Sequence, residues 1–226
     1  MFLSALESFT STILPSSANR AMIELARESF SSFLHDGHDH GAASDLLFVS
    51  THIRRGDRKT LSYSFLDRQV PVQNYVDAIE SVWSRLHHSD IPPPVYLATD
   101  SPEAHEEFVG LYEGDVFSLF TAPDSRLRAL ASPGEYFQKR FNELDLPARI
   151  TATRGVVVDL AVLSGLWSDK DQLVVPDAVV CALRLVSHCF MRSALSNKII
   201  VLLYVALPRL VWDGRWLSVI STCLVL

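Results

Sequence analysis

Cysteine is scarce in this 226-residue chain, and its positions form no recognisable pattern. The three cysteines are Cys181, Cys189 and Cys223, an odd number gathered toward one end. This arrangement offers neither the even-numbered framework of a disulfide-stapled domain nor a C-x-x-C pair for zinc. Disulfide scaffolds and cysteine-rich metal domains are therefore excluded, whereas the redox compartment is not decided.

Positive charge and long apolar runs are also in short supply. The formal net charge is −6, which argues against a nucleic-acid partner because such a partner requires a basic face. The first fourteen residues lack the basic start and continuous apolar block of a signal peptide. The apolar run at 199–207 is ended by Pro208 and Arg209, well short of the roughly 20 residues that a membrane span needs. We expect no signal peptide and no spanning segment.

Short apolar runs alternate along the chain with patterns of helical period. The runs at 46–49, 95–98, 116–120 and 178–181 read as buried strands. Helices are expected over 18–34, from 71 to about 86, from 102, briefly from 132, and over 149–167. This spacing is typical of βαβ units. It predicts an α/β fold, a Rossmann-like parallel sheet with helices on both faces.

The composition suggests three regions. Residues 1–44 are an N-terminal helix and loop, residues 45–192 form the Rossmann-like domain, and residues 193–226 form a divergent apolar tail. The loop at 35–40 contains His and Asp residues of metal-ligand type. It has no second ligand cluster, however, and we predict no metal site there.

Two adjacent arginines follow the first predicted strand. Ligands of open parallel sheets bind beyond the carboxyl ends of the strands, and this edge would hold residues 52–57, 99–100 and the segment after Cys181. Unpaired guanidinium groups are costly to bury, so Arg54 and Arg55 must meet an anion or solvent. A diphosphate would suit them, and so would an internal ion pair with Asp57 or Asp100. The residues alone favour neither alternative.

Three segments, taken in order, resemble one enzyme family. The run HIRRGD at 52–57 is similar to the first donor-binding motif of the α-1,6-fucosyltransferases and related α-1,2-fucosyltransferases. YLATD at 96–100 resembles the second motif of the α-1,6 class, and RGVVVDLAVLS at 154–164 resembles a later helix of that class. The resemblance implies one half of a GT-B fold and transfer of fucose from GDP-fucose to a glycan hydroxyl with inversion. It also implies a Golgi location and no cofactor or metal.

The resemblance assigns roles to individual positions. Arg54 would hold the β-phosphate of GDP-fucose, and Arg55 would support the site and the developing charge. His52 and Asp159 would contact the guanine, although Asp159 could equally be a helix cap or an ion-pair partner. Asp100 would order the loop beside the donor, with Arg55 as a candidate intermediary.

The chain departs from the family pattern at two places. Ser62 stands where the family has its glutamate base, and serine is not a base near neutral pH without a partner. Asp67 is the nearest carboxylate that could substitute, and it could also be an ordinary surface residue. Where the family has a Ser-Ser pair and a Cys-Arg, this chain offers Ser187 and Arg192 as a loose match.

Only about fifty residues precede the first motif, fewer than the acceptor-side domain of the family requires. Three hypotheses follow. The chain is a fucosyltransferase with nucleotide-sugar and glycan partners, a non-catalytic or truncated GDP-sugar-binding remnant, or an α/β interaction module whose arginines form only structural ion pairs.

Overall fold

The computed structural model describes residues 12–37, 47–56, 70–167, 176–181, 189–192 and 199–202. Its centre is a four-stranded sheet in which every neighbouring pair is parallel. The α/β fold predicted from the sequence is thereby confirmed. The strands are β1 (Val49–Ile53), β2 (Val95–Thr99), β3 (Val116–Phe117) and β4 (Ala178–Cys181).

Six helices belong to the described part of the chain. They are α1 (Ser17–Gly37), α2 (Val72–His87), α3 (Pro102–Leu111), α4 (Ser125–Arg128), α5 (Gln138–Glu143) and α6 (Leu146–Ser164). Side-chain caps fix three of their starts: Ser101 accepts a hydrogen bond from the backbone N–H of Ala104, Asp124 from that of Arg126, and Asp145 from that of Ala148. The last helix ends at Gly165, whose φ of 69° suits glycine.

The helices cover both faces of the sheet because side chains alternate along each strand. On one face, Phe48, Tyr96 and Phe117 pack with α1 and α6. Phe30 of α1 lies at the centre of this layer, with ring centroids 4.8 Å from Phe48 and 5.3 Å from Tyr96. On the other face, residues such as Val49, Val95, Leu97 and Val180 pack against α2 and α3.

The strand order β3-β2-β1-β4 makes β1 the central point of the topology. From β1 the chain moves to β2 and then β3, and α6 later returns it to β4 on the other side of β1. This is the order of the first four strands in a Rossmann sheet, with a topological switch point between β1 and β4. The register pairs Ile53 with Thr99 and His52 with Cys181, so the carboxyl ends of β1, β2 and β4 share one edge.

Several element boundaries differ from those predicted. β3 has two residues where five were expected, because Ser118 and Thr121 close a turn directly after it. No helix begins at 132; residues 132–137 instead lead to α5, which starts at Gln138. α6 begins three residues earlier than expected, since Asp145 caps it.

A second, two-stranded sheet pairs β5 (Cys189–Arg192) with β6 (Ile199–Leu202) in antiparallel orientation. This pairing crosses the boundary set at residue 192 from the sequence. α1, from the predicted N-terminal region, likewise packs in the core of the sheet. Within the described ranges, no helix is both long and apolar enough to span a membrane.

Candidate anion-binding site

The edge at the carboxyl end of β1 carries Arg54, Arg55 and Gly56. Ser50 and His52 alternate with Val49, Thr51 and Ile53 along this strand. Alternate residues of β1 therefore face opposite sides of the sheet: Ser50 and His52 face α6, and the other three face α2 and α3. Continuing the alternation places Arg54 on the α6 face and Arg55 on the α2–α3 face.

Asp100 holds this edge together through backbone hydrogen bonds. Its Oδ1 accepts from the N–H of Arg55 at 2.7 Å, and its Oδ2 accepts from the N–H of Gly56 at 3.1 Å. The same Oδ2 accepts from the N–H of Tyr136 at 3.4 Å. One carboxylate thus ties the segment after β1 to β2 and to residues 132–137. Asp100 orders the loop through the backbone of Arg55 and not through its guanidinium.

Gly56 is required by the close approach of two backbones. A Cβ at this position would overlap the carbonyl oxygen of Tyr136 and crowd its N and C atoms. The neighbouring atoms belong to the main chain, so no side-chain rotation would relieve the overlap. The glycine therefore lets the segment 132–137 cross directly over the end of β1.

Arg54 lies beside an aromatic ring. Its Cζ is 5.3 Å from the centroid of the Tyr136 ring, within the range of a cation–π contact. Its Nε is buried and has no hydrogen-bond partner in the part of the chain that the structure describes. No ion pair to Asp100 is found, and Asp57, the other carboxylate considered for it, lies outside the described residues. Arg54 is thus a half-buried cation that no described carboxylate neutralises.

Arg55 is committed to the scaffold. Its Nη1 donates to the carbonyl oxygen of Val70 at 2.8 Å, and its Nη2 lies 3.5 Å from Oε2 of Glu107 on α3. The side chain is 8% exposed. Arg55 therefore contacts the scaffold, whereas Arg54 contacts the Tyr136 ring. The structural ion pair is formed with Glu107.

His52 stands opposite Cys181 across the β1–β4 pair and is half-buried. Burial raises the pKa of the Cys181 thiol to about 12, although a backbone hydrogen bond from His52 acts against this. The thiol therefore stays protonated at neutral pH and is a poor nucleophile. His52 and Arg54 are brought to the same end of β1, next to the switch point.

Asp159, on α6, contacts β2. Its Oδ1 accepts a hydrogen bond of 2.8 Å from the hydroxyl of Tyr96. Burial raises the pKa of Asp159 to about 7, while the bond from Tyr96 lowers it. His52, Arg54, Arg55 and Asp100 thus lie at or directly after the strand ends of this edge, and Asp159 of α6 is bonded to Tyr96 of β2.

Asp67 and Ser187 lie outside the described residues, as does Ser62. Over the described ranges, no group of three or more His, Cys, Asp or Glu side chains could hold a metal ion.

Tyr136 belongs to the site and was not predicted from the sequence. It lies in the connection before α5, 82 residues after Arg54, and no sequence motif or hydrophobic periodicity marks it. The one available signal was the S-P-G run at 132–134, which marks a turn and not a binding residue.

The chain matches no protein-family model, and no curated protein or solved structure shows significant similarity to it.

Proposed function

We propose that this chain is the donor-binding part of a GDP-fucose-dependent glycosyltransferase of the GT-B type. Arg54 carries the proposal: it is a cation at the topological switch point of a Rossmann-like sheet, without a described carboxylate beside it. Sites of this kind bind nucleotides where the strand order reverses. The resemblance of residues 52–57, 96–100 and 154–164 to α-1,6-fucosyltransferases supports fucose as the sugar.

In the proposed reaction, an acceptor hydroxyl attacks the anomeric carbon of fucose with inversion, and GDP leaves. Negative charge grows on the β-phosphate as the bond to GDP breaks. A fixed guanidinium at Arg54 stabilises that charge by donating to the phosphate oxygens. Arg55 acts indirectly in this proposal, because its bonds to Val70 and Glu107 fix the loop that carries Arg54. His52, at the same end of β1, is assigned to the nucleotide.

The acceptor side of the reaction is assigned from the resemblance. Asp67 is the proposed base that removes the proton of the acceptor hydroxyl. It replaces the glutamate of the family, whose position is occupied by Ser62 in this chain. Ser187 is the proposed partner of the phosphate from the segment after β4. Asp159 is assigned to the guanine from the resemblance, with its carboxylate held by the hydroxyl of Tyr96. A glycan acceptor and a Golgi location complete the proposal.

The first test is GDP binding to the full chain and to Arg54→Ala, measured by isothermal titration calorimetry. Loss of a charge-assisted hydrogen bond to phosphate predicts at least a tenfold, roughly 1.5–3 kcal/mol, loss of affinity. Arg126→Ala is a matched control, because Arg126 is an exposed arginine that forms an ion pair with Asp124. Equal affinity in wild type and Arg54→Ala would refute the assignment.

A second measurement separates the enzyme from the alternatives. Release of fucose from GDP-fucose, or its transfer to a glycan, would establish turnover by this chain. GDP binding without either would identify a GDP-sugar-binding remnant. Normal folding without GDP binding would favour the interaction module. The observation that supports this alternative is the structural ion pair between Arg55 and Glu107.

A further inference from the structure

We propose that Tyr136 is a positioning residue that holds Arg54 ready for a diphosphate group. The inference rests on the proposed function for the identity of the nucleotide, and on the structure for the contact between the two side chains. The Arg54 guanidinium lies over the Tyr136 ring at 5.3 Å. Among the described residues, the Tyr136 ring is therefore the group that we propose holds the Arg54 guanidinium in place before an anion binds.

The ring itself is held on several sides. The backbone of Tyr136 lies against Gly56, and its N–H reaches Asp100. Its hydroxyl donates to Oε1 of Gln138 at 2.8 Å, and its ring centroid is 5.5 Å from that of Phe141. Tyr136 is therefore anchored to the same loop that carries Arg54, so that the ring and the cation keep their relative position.

An aromatic ring suits this task better than a carboxylate would. The negative face of the ring attracts the guanidinium without neutralising its charge. A carboxylate would compete with the incoming phosphate for the same N–H donors. Contact with a ring uses none of the guanidinium N–H donors as a hydrogen bond, so none is committed to a competing acceptor in this contact. Because the side chain is already held in place, less conformational entropy is lost when the anion binds.

The test uses inorganic pyrophosphate as a probe of the anion site and GDP as a probe of the proposed function. We expect Tyr136→Leu to weaken pyrophosphate binding by at least about threefold, the size of a modest cation–π contact. Tyr136→Phe retains the ring and loses only the bond to Gln138, so its affinity should match the wild type. Thermal unfolding of each variant reports whether the fold is preserved.

The chain provides a matched control in the neighbouring residue. Phe137 forms a similar contact with Arg140, whose Cζ lies 4.9 Å from the Phe137 ring centroid. Phe137→Leu removes a ring from the same segment without touching Arg54, and we expect unchanged pyrophosphate affinity.

Three results would overturn the inference: wild-type affinity in Tyr136→Leu, no rescue by Tyr136→Phe, or an equal loss in Phe137→Leu. Pyrophosphate binding without GDP binding would instead overturn the proposed function, and the same variants would still decide the role of Tyr136. A wild-type chain that binds neither probe would overturn both.

Discussion

Asp159 shows at the scale of one residue how position changes the chemistry of a side chain. The residue is on a helix and its carboxylate meets the hydroxyl of Tyr96. Burial raises its pKa to about 7 from an ordinary value near 3.8. Burial and then the nearby Asp159 charge raise the pKa of Tyr96 as well. Both shifts favour the neutral forms, so this pair is a hydrogen bond between uncharged groups in mildly acidic solution.

This shift predicts a pH dependence of stability. Between pH 4 and pH 7 the folded chain keeps a proton on Asp159 that the unfolded chain has lost, so the free energy of unfolding falls as pH rises through this window. The contribution is fully present below the unfolded pKa and is lost above about 7. Asp159→Asn removes the titration and keeps an acceptor for Tyr96. We expect the difference in unfolding free energy between pH 5 and pH 8 to shrink by on the order of 2 kcal/mol.

Urea unfolding at a series of pH values measures this difference. Asp90→Asn is the control, because Asp90 is an exposed carboxylate, and its replacement should leave the pH profile unchanged. Parallel pH profiles for wild type and Asp159→Asn would show that Asp159 is ionised in the folded chain throughout this range.

Among the elements, the contact between the end of β1 and the segment 132–137 defines the candidate site. Gly56 allows this contact because there is no space for a Cβ against the backbone of Tyr136. Asp100, at the end of β2, then closes it with hydrogen bonds to both segments. The site therefore depends on two loops that are joined by main-chain atoms.

Gly56→Ala tests this dependence. The methyl group must push residues 132–137 outward and separate the Tyr136 ring from Arg54. We expect pyrophosphate affinity to fall by at least as much as in Tyr136→Leu, with a loss of roughly 1–3 kcal/mol in the free energy of unfolding. Calorimetry and urea unfolding would measure the two effects.

Gly134→Ala is the matched control for this substitution. Gly134 lies in the same segment, and a Cβ there would meet no atom within 4 Å. Its variant should bind and unfold like the wild type. If Gly56→Ala also behaves like the wild type, the close approach of the two segments is not needed for binding.

In the molecule as a whole, the N-terminal helix is part of the sheet domain. Arg27 of α1 is 7% exposed, and its guanidinium donates to the carbonyl oxygens of Ala161, Leu166 and Trp167 at the end of α6. A positive charge at this end of a helix also meets the negative end of the helix dipole. Arg27 thus joins α1 to the crossover that leads toward β4.

Arg27→Met should leave these carbonyl groups without their donor while keeping most of the aliphatic volume. We expect a loss of about 2–4 kcal/mol in the free energy of unfolding, measured by urea denaturation. Arg20→Met is the control, since Arg20 is exposed on the same helix, and it should change stability by less than about 0.5 kcal/mol. Similar losses in both variants would contradict a specific role for Arg27.

Part of the candidate site was predictable from the sequence. A buried strand followed by two arginines indicates an anion site or an internal ion pair at a sheet edge, and Asp100 follows the next strand in the same way. The residues alone do not show which arginine contacts the scaffold, because this depends on Val70, just before α2, and on Glu107 of α3. Tyr136 could not be found, since its contact with Arg54 joins positions far apart in the chain.

The sequence alone determined the alternation of apolar runs and helical patterns, and through it the parallel α/β sheet, because local periodicity reflects which side chains are buried. Tertiary structure alone decided the strand order, the switch point beside β1 and the contact of Asp159 with Tyr96. These depend on how helices cross the sheet and on contacts between distant segments. Free energies of packing, not local preferences, select among such arrangements.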